Sequence, residues 1–129
     1  MKKTFIGVGF AVLAILIGSF AVHQMNAPAN AGEYDAFAQC LTDKGVMMYG
    51  AWWCPHCQNQ KKLFGSSFKN IKYIECAAAG SSNGQTLECE NAKITGYPTW
   101  VFADGPRVEG EISFATLRDR TACVLPSKL

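Results

Sequence analysis

The feature that most limits how this chain can fold is an apolar segment that runs directly into two closely spaced cysteines. Residues 46–53 (VMMYGAWW) are almost all apolar and include β-branched and aromatic side chains, which favours a strand covered on both faces. The motif CPHC follows at residues 54–57, and residues 58–68 carry apolar side chains at helical spacing. The sequence therefore predicts that both cysteines lie where a buried strand is followed by a helix.

At that junction Cys54 is the candidate nucleophile. The first turn of a helix directs unpaired N–H groups and the positive end of its dipole at such a sulfur, which favours thiolate over thiol. Pro55 stiffens the turn because it pre-sets φ, and a protonated His56 adds positive charge beside the thiolate. Cys57 lies one helical turn further on the same face, close enough to form a small disulfide ring. A pair whose reduced form is stabilised as a thiolate is a strong oxidant, so the motif favours donating disulfides.

Two other interpretations of the pair are an inert disulfide and half of a zinc site. A zinc site needs a second close pair of ligands, whereas Cys76 and Cys89 are 13 positions apart. We therefore expect no metal, and we prefer catalytic redox chemistry.

Several motifs together resemble a known family. WCPHC, followed by GYPTW at residues 96–100, resembles the thioredoxin superfamily. The Pro-His dipeptide between the two cysteines resembles that of the DsbA-type oxidases. The segments MYGAWWCPHCQNQKKLFG, YIEC, ITGYPTWVFADG and TACVLP resemble the thioredoxin-like domain fused to bacterial and plant vitamin K epoxide reductase homologues, over residues 34–126. The resemblance implies an α/β thioredoxin fold, a central mixed β-sheet flanked by helices, with Cys54 and Cys57 as its redox pair.

The same resemblance implies a cis peptide bond between Tyr97 and Pro98 that faces the redox pair. Bending the chain at that point frees the backbone of Tyr97 to bind an extended substrate segment. If the sequence lacked the cysteine motif, we would expect Pro98 to be an ordinary trans proline at the first residue of a strand.

Two departures from the family affect the chemistry. The sequence has no counterpart of the membrane domain that reduces quinone in the fused proteins, so we expect a separate membrane oxidoreductase of the vitamin K epoxide reductase type to reoxidise the pair. Met48 occupies the place of the buried acid that precedes the first cysteine of thioredoxin by six positions. Proton transfer to and from Cys57 must therefore involve water or another group.

The N-terminus predicts export. Residues 4–22 contain no charge, and a helix of this length nearly spans a hydrocarbon core of about 30 Å. Lys2 and Lys3 precede the segment and orient the rest of the chain to the outside. Because ANA at residues 29–31 is a possible cleavage site, residues 1–31 are predicted to be a signal peptide or, given the length of the apolar run, an N-terminal membrane anchor with a short linker. Contact with a membrane is expected through residues 4–22 if they are retained.

The remaining 98 residues, 32–129, have room for one domain, the expected thioredoxin-like domain. All six cysteines fall within it, a density typical of oxidising compartments such as the periplasm or the thylakoid lumen. Lys2 and Lys3 account for the whole formal charge of +2, so the domain is neutral and nucleic-acid binding is not expected.

The other four cysteines are expected to be structural. Cys76 ends a predicted strand and Cys89 follows a flexible loop, so we predict a Cys76–Cys89 disulfide; a second redox pair is the alternative. An even number of cysteines in an exported domain suggests that Cys40 and Cys123 also pair, although four cysteines allow three connectivities.

Residue patterns predict the order α-β-α-β-α-β-β-α. Beyond the segments already described, the predicted helices cover residues 34–44, 84–94 and 114–121, and the predicted strands cover residues 71–75, 97–103 and 107–112. Asp104-Gly105 is a hairpin signal between the last two strands.

Four aromatic residues lie near the motif and are candidates for an exposed apolar rim: Trp52, Trp53, Tyr97 and Trp100. Because side chains alternate along a strand, we expect at least half of them to lie in the core instead. Lys61, Lys62 and Lys69 are expected on the solvated face of the helix.

The sequence therefore predicts an exported thiol–disulfide oxidoreductase without a cofactor, acting as an oxidase on thiol-containing protein substrates. The alternatives are a disulfide reductase or isomerase and, in another class, a non-catalytic binding module or metal carrier.

Overall fold

The computed structural model describes residues 32–81 and 83–127. The predicted signal peptide or membrane anchor, residues 1–31, lies outside the described residues. Within the two described stretches, no helix has both the length and the apolar character needed to cross a membrane.

The chain has a mixed α/β architecture, as the sequence predicts. In order, its elements are α1 (Asp35–Asp43), β1 (Met47–Gly50), α2 (Pro55–Phe64), a 3₁₀ helix (Gly65–Asn70), β2 (Lys72–Glu75), α3 (Leu87–Asn91), β3 (Thr99–Val101), β4 (Val108–Glu109) and α4 (Phe114–Thr121). The predicted order of helices and strands is confirmed.

The four strands form one mixed sheet in the order β2-β1-β3-β4. Strand β1 pairs in parallel with β2, to which α2 connects it, and antiparallel with β3. Strands β3 and β4 are antiparallel neighbours, which confirms the hairpin predicted around Asp104-Gly105. Because β1 is central, the CPHC motif begins just beyond the end of an interior strand.

Strand β1 is shorter than predicted: it ends at Gly50 rather than Trp53. Gly50 is opposite Glu75, the last residue of β2, so no further parallel pairing follows. The backbone then turns, and the Cys54 N–H donates to the Ala51 carbonyl over 3.0 Å. The turn takes residues 52 and 53 out of the sheet.

Helix α3 is also shorter than the predicted segment of residues 84–94. Gln85 instead forms an isolated β-bridge with Ala77, and Lys93 has a positive φ of 53°, which ends the helical path.

Apolar side chains cover both faces of the sheet. Met48 and Tyr49 are successive residues of β1 and belong to different clusters, as the alternation of a strand requires. The Met48 cluster packs α1, α2 and α4 against the sheet through, among others, Phe37, Leu41, Phe64, Trp100 and Leu117. The Tyr49 cluster is smaller and contains Cys76, Cys89 and Ile94.

Two disulfides link these elements. Cys40 of α1 is bonded to Cys123 beyond α4 with an S–S distance of 2.09 Å, and Cys76 is bonded to Cys89 with an S–S distance of 2.01 Å. These are the two pairs expected from the sequence.

Candidate active site

Cys54 caps the N-terminus of α2. Its backbone is extended (ψ 119°), Pro55 is the first residue of the helix, and the Cys57 N–H donates to the Cys54 Sγ over 3.4 Å. A backbone donor and the positive end of a helix dipole stabilise negative charge on such a sulfur. The structure thus brings Cys54, Pro55 and Cys57 together in the arrangement that the sequence predicts.

The two cysteines of the motif have free thiols but different access to solvent. Cys57 is 0% exposed, whereas Cys54 keeps 4% of its surface exposed. Burial, followed by a hydrogen bond with Cys54, raises the pKa of the Cys57 thiol from 9.0 to about 12. Cys57 is therefore a protonated, enclosed thiol at neutral pH, and Cys54 is the one of the two that keeps some exposed surface.

Tyr97 and Pro98 lie against Cys54. The peptide bond between them is cis, and Pro98 is fully buried. The Cys54 thiol donates to the Tyr97 carbonyl over 3.6 Å. A backbone acceptor therefore lies beside the candidate nucleophile, where an extended substrate could pair with it.

His56 is held by the carboxylate of Glu111, a residue that no sequence pattern points to. Glu111 Oε1 accepts hydrogen bonds from His56 Nδ1 over 2.7 Å and from Asn59 Nδ2 over 3.3 Å. These two hydrogen bonds, first that of His56, hold the pKa of Glu111 below its usual range. Glu111 is 55 positions from His56 and no local pattern links them, so only the tertiary fold shows the pair.

Buried Gln60 fixes the segment that carries Glu111. Its side chain donates to the Ile112 carbonyl over 3.1 Å and accepts from the Ile112 N–H over 2.8 Å. Because Gln60 is 0% exposed, these two hydrogen bonds are shielded from water. Helix α2 is thereby fixed to the chain between β4 and α4.

Gly50 leaves space for the sulfur of Cys57. A Cβ atom at Gly50 would lie 2.9 Å from Cys57 Sγ and 3.0 Å from Cε2 of Tyr73. Any side chain at position 50 would therefore displace the cysteine or the tyrosine. No sequence pattern predicts this contact, since Tyr73 lies on the neighbouring strand β2.

Two charged side chains, Glu75 and Lys61, contact Tyr73. Its hydroxyl donates to Glu75 Oε2 over 2.8 Å, and the Lys61 ammonium lies 3.7 Å from the centre of its ring. The sequence predicts Lys61 on the solvated face of α2; it is instead half-buried, with its ammonium over the rings of Phe68 and Tyr73.

The aromatic rim is divided between surface and core. Trp52 is 59% exposed and Trp53 is 40% exposed, because both lie in the turn after β1. The Trp53 ring meets Tyr97 edge to face at 5.9 Å, whereas Trp100 is wholly buried. An exposed apolar surface thus lies next to Cys54.

Among residues 32–81 and 83–127, no group of three or more His, Cys, Asp or Glu side chains is arranged to hold a metal ion.

The chain is similar to a plant redox protein. It is 40% identical over 89 residues, which is 67% of this chain, to the thiol-disulfide oxidoreductase LTO1 of Arabidopsis thaliana. The chain spans about a quarter of that protein, since the match covers 23% of its length. No protein-family model matches the chain. The similarity supports the same class of chemistry that the geometry of Cys54 and Cys57 permits.

Proposed function

We propose that this chain is a thiol–disulfide oxidoreductase with a thioredoxin fold, in which Cys54 exchanges disulfides with substrate and Cys57 is its internal partner. The observation that carries the proposal is the Cys54 sulfur at the start of α2, accepting the Cys57 N–H, with the Cys57 thiol buried behind it. A relative named as a thiol-disulfide oxidoreductase supports this activity.

In the oxidising direction, a substrate thiolate attacks the Cys54 Sγ of the Cys54–Cys57 disulfide. The bond between the two cysteines breaks, and Cys57 leaves with the electron pair and takes up a proton. A second substrate thiolate then attacks the substrate sulfur of the mixed disulfide, and Cys54 leaves as a thiolate at the helix N-terminus. The substrate loses two electrons and the protein gains them.

The surroundings of Cys54 suit an extended peptide. The Tyr97 carbonyl beside the sulfur offers a backbone acceptor, and Trp52 and Trp53 offer exposed apolar area. Thiol-containing segments of unfolded proteins provide a backbone N–H that can donate to this carbonyl and apolar side chains that can pack on the tryptophans.

We propose further that the protein is an oxidase in an extracytoplasmic space. Stabilisation of the departing Cys54 thiolate favours the reduced form of the pair, which makes its disulfide a good oxidant. The Cys40–Cys123 and Cys76–Cys89 disulfides support an oxidising compartment. A quinone-linked membrane enzyme of the vitamin K epoxide reductase type would then reoxidise the pair, with residues 4–22 as tether or cleaved signal.

The equilibrium reduction potential of Cys54 and Cys57 against glutathione tests the direction. A potential above about −180 mV supports an oxidase, whereas a value near that of thioredoxin, about −270 mV, contradicts it and favours a reductase. Reoxidation of the reduced protein by vesicles that contain such a quinone-linked enzyme, dependent on added quinone, tests the partner; no reoxidation there overturns that assignment.

A further inference from the structure

The Cys57 thiol needs a route for its proton. Cys57 must lose a proton before it can attack a mixed disulfide at Cys54, yet it is fully buried and burial raises its pKa. Met48, which is also 0% exposed, cannot accept a proton. The proton must therefore pass to water or to another group within reach of the sulfur.

Gly50 brings the hydroxyl of Tyr73 close to Cys57. The Cβ position of Gly50 is 2.9 Å from Cys57 Sγ and 3.2 Å from Tyr73 Oη, so the sulfur and the hydroxyl are no further apart than the sum of these two distances. With no side chain at position 50, nothing from that residue separates them. That separation is short enough for proton transfer through one bridging water.

The hydroxyl of Tyr73 is in turn bonded to a fixed carboxylate. Tyr73 donates to Glu75 Oε2 over 2.8 Å. The other oxygen, Oε1, accepts from the N–H groups of Trp52 over 3.1 Å and of Ala77 over 2.9 Å. Because Glu75 is half-buried, one end of this hydrogen-bonded path meets the buried thiol and the other reaches water.

The charges around this path favour transfer through a neutral tyrosine. Among the described residues, the titratable groups that act on Cys57 and Tyr73 are Cys54, Lys61 and Glu75. Burial, followed by the hydrogen bond to Glu75, raises the pKa of Tyr73, so its hydroxyl stays protonated at neutral pH. A neutral hydroxyl can accept one proton while it releases another.

We propose that Tyr73 and Glu75 carry the proton of Cys57 between the buried thiol and solvent, an inference that rests on the proposed function. As Cys57 is activated, its proton passes through one bridging water to the Tyr73 oxygen, and the Tyr73 hydroxyl proton passes to the Glu75 carboxylate. The Cys57 thiolate attacks Cys54 Sγ, the Cys54–Cys57 bond forms, and the substrate sulfur leaves with the electron pair. In the oxidising direction the same path returns a proton to Cys57.

The test isolates the step in which Cys57 attacks. Reduced full-length protein is mixed with excess glutathione disulfide, so that Cys54 first forms a mixed disulfide and Cys57 then releases glutathione in a second, concentration-independent phase. The rate of that phase is measured between pH 5 and pH 9 for wild type, Tyr73→Phe, Glu75→Gln and the double variant. Glu88→Gln, which removes an exposed carboxylate on α3, is the matched control.

We expect each single variant to slow the second phase at neutral pH by about a hundredfold, at the lower end of general acid–base effects. The defect shrinks as pH rises, because hydroxide then removes the proton without help. The double variant is no slower than the slower single variant, since both residues serve one path. The control keeps the wild-type pH profile.

The variants are chosen to leave the packing in place. Phenylalanine keeps the ring beneath Lys61, and the amide oxygen of glutamine can still accept from the Trp52 and Ala77 N–H groups. Wild-type pH profiles in both variants, or an equal slowing at every pH, would overturn the proton path. Failure of the wild-type protein to form any mixed disulfide at Cys54 would instead overturn the proposed function and, with it, this inference.

Discussion

The two faces of the sheet hold cysteines in opposite chemical situations. On one face, Cys54 receives a backbone N–H at the start of α2, and Cys57 lies behind it. On the other face, Cys76 and Cys89 are bonded within an apolar cluster that includes Tyr49. We call the first pair the active-site pair and the second the loop disulfide.

The surroundings of a cysteine, and not burial alone, therefore separate exchange chemistry from cross-linking. Cys57, Cys76 and Cys89 are all 0% exposed. Only the active-site pair has a helix N-terminus at one sulfur and the Tyr97 carbonyl beside it. The loop disulfide instead connects the end of β2 to α3.

Removing the nucleophile Cys54 should have the largest effect on the rate of disulfide exchange. We expect Cys54→Ser to slow exchange with glutathione disulfide by on the order of 10³-fold or more, because Cys57, the other free cysteine among the described residues, is fully buried. Cys57→Ser still forms a mixed disulfide at Cys54, but that species persists because the buried partner is gone. Stopped-flow kinetics and intact-mass measurements of the mixed disulfide check both results.

Removal of the loop disulfide is the matched control for that experiment. Cys76→Ala/Cys89→Ala should exchange within about twofold of the wild-type rate, since neither sulfur belongs to the active-site pair. A fall in the exchange rate comparable to that of Cys54→Ser would show that the loop disulfide carries electrons.

The two structural disulfides should differ in their contribution to stability. On the chain-entropy model, Cys40–Cys123, with a sequence separation of 83, contributes about 4.5 kcal/mol, and Cys76–Cys89, with a separation of 13, contributes about 3 kcal/mol. Urea unfolding of the two double-alanine variants measures these free energies. A larger loss for the loop disulfide would contradict the order expected from loop length.

The raised pKa of Cys57 predicts a pH-dependent stability that the loop disulfide cannot show. The unfolded thiol ionises above its ordinary pKa of 9.0, while the folded thiol, with a pKa of about 12, keeps its proton. The stabilisation is complete below pH 9 and is lost as pH rises towards 12. With the active-site pair reduced, the free energy of unfolding should fall by about 1 kcal/mol between pH 8 and pH 10, relative to Cys57→Ser.

Urea titrations at pH 8 and pH 10 measure this fall in the free energy of unfolding. Removing the loop disulfide should leave the fall unchanged. An equal pH response of the reduced wild type and Cys57→Ser would mean that Cys57 is not protonated in the fold.

Replacing Lys61 should have the smallest effect of the substitutions considered. Its charge lowers the pKa of Cys57, so Lys61→Met should reduce the ionised fraction of Cys57 by about twofold at a fixed pH. Loss of its contact with the Tyr73 ring should cost about 0.5–1 kcal/mol of stability. Thiolate absorbance in a Cys54→Ser background measures the first effect, and Lys62→Met, which changes an exposed neighbour, should show neither.

Local patterns predicted much of the framework and part of the site. The run before Cys54 predicts the interior strand, and the spacing of Cys54 and Cys57 places both at the start of a helix, because neighbours in sequence determine that geometry. The end of β1 was misplaced because it depends on where β2 ends, which is a property of the partner strand.

Contacts made only by the tertiary fold could not be predicted. Glu111 reaches His56 because Gln60 fixes the segment after β4, and Gly50 adjoins Tyr73 because β1 and β2 are parallel neighbours. Neither pairing leaves a periodic or motif-like signal in the sequence. The proton path from Cys57 depends on the second of these contacts.

A redox titration that follows each cysteine separately tests the central claim most directly, namely that exchange is confined to the active-site pair. The protein is equilibrated in glutathione buffers between about −270 and −120 mV, free thiols are alkylated, and the modified residues are mapped by mass spectrometry. We expect Cys54 and Cys57 alone to change state, while Cys40, Cys76, Cys89 and Cys123 stay unmodified. Alkylation of Cys76 and Cys89 in the same transition would contradict the account.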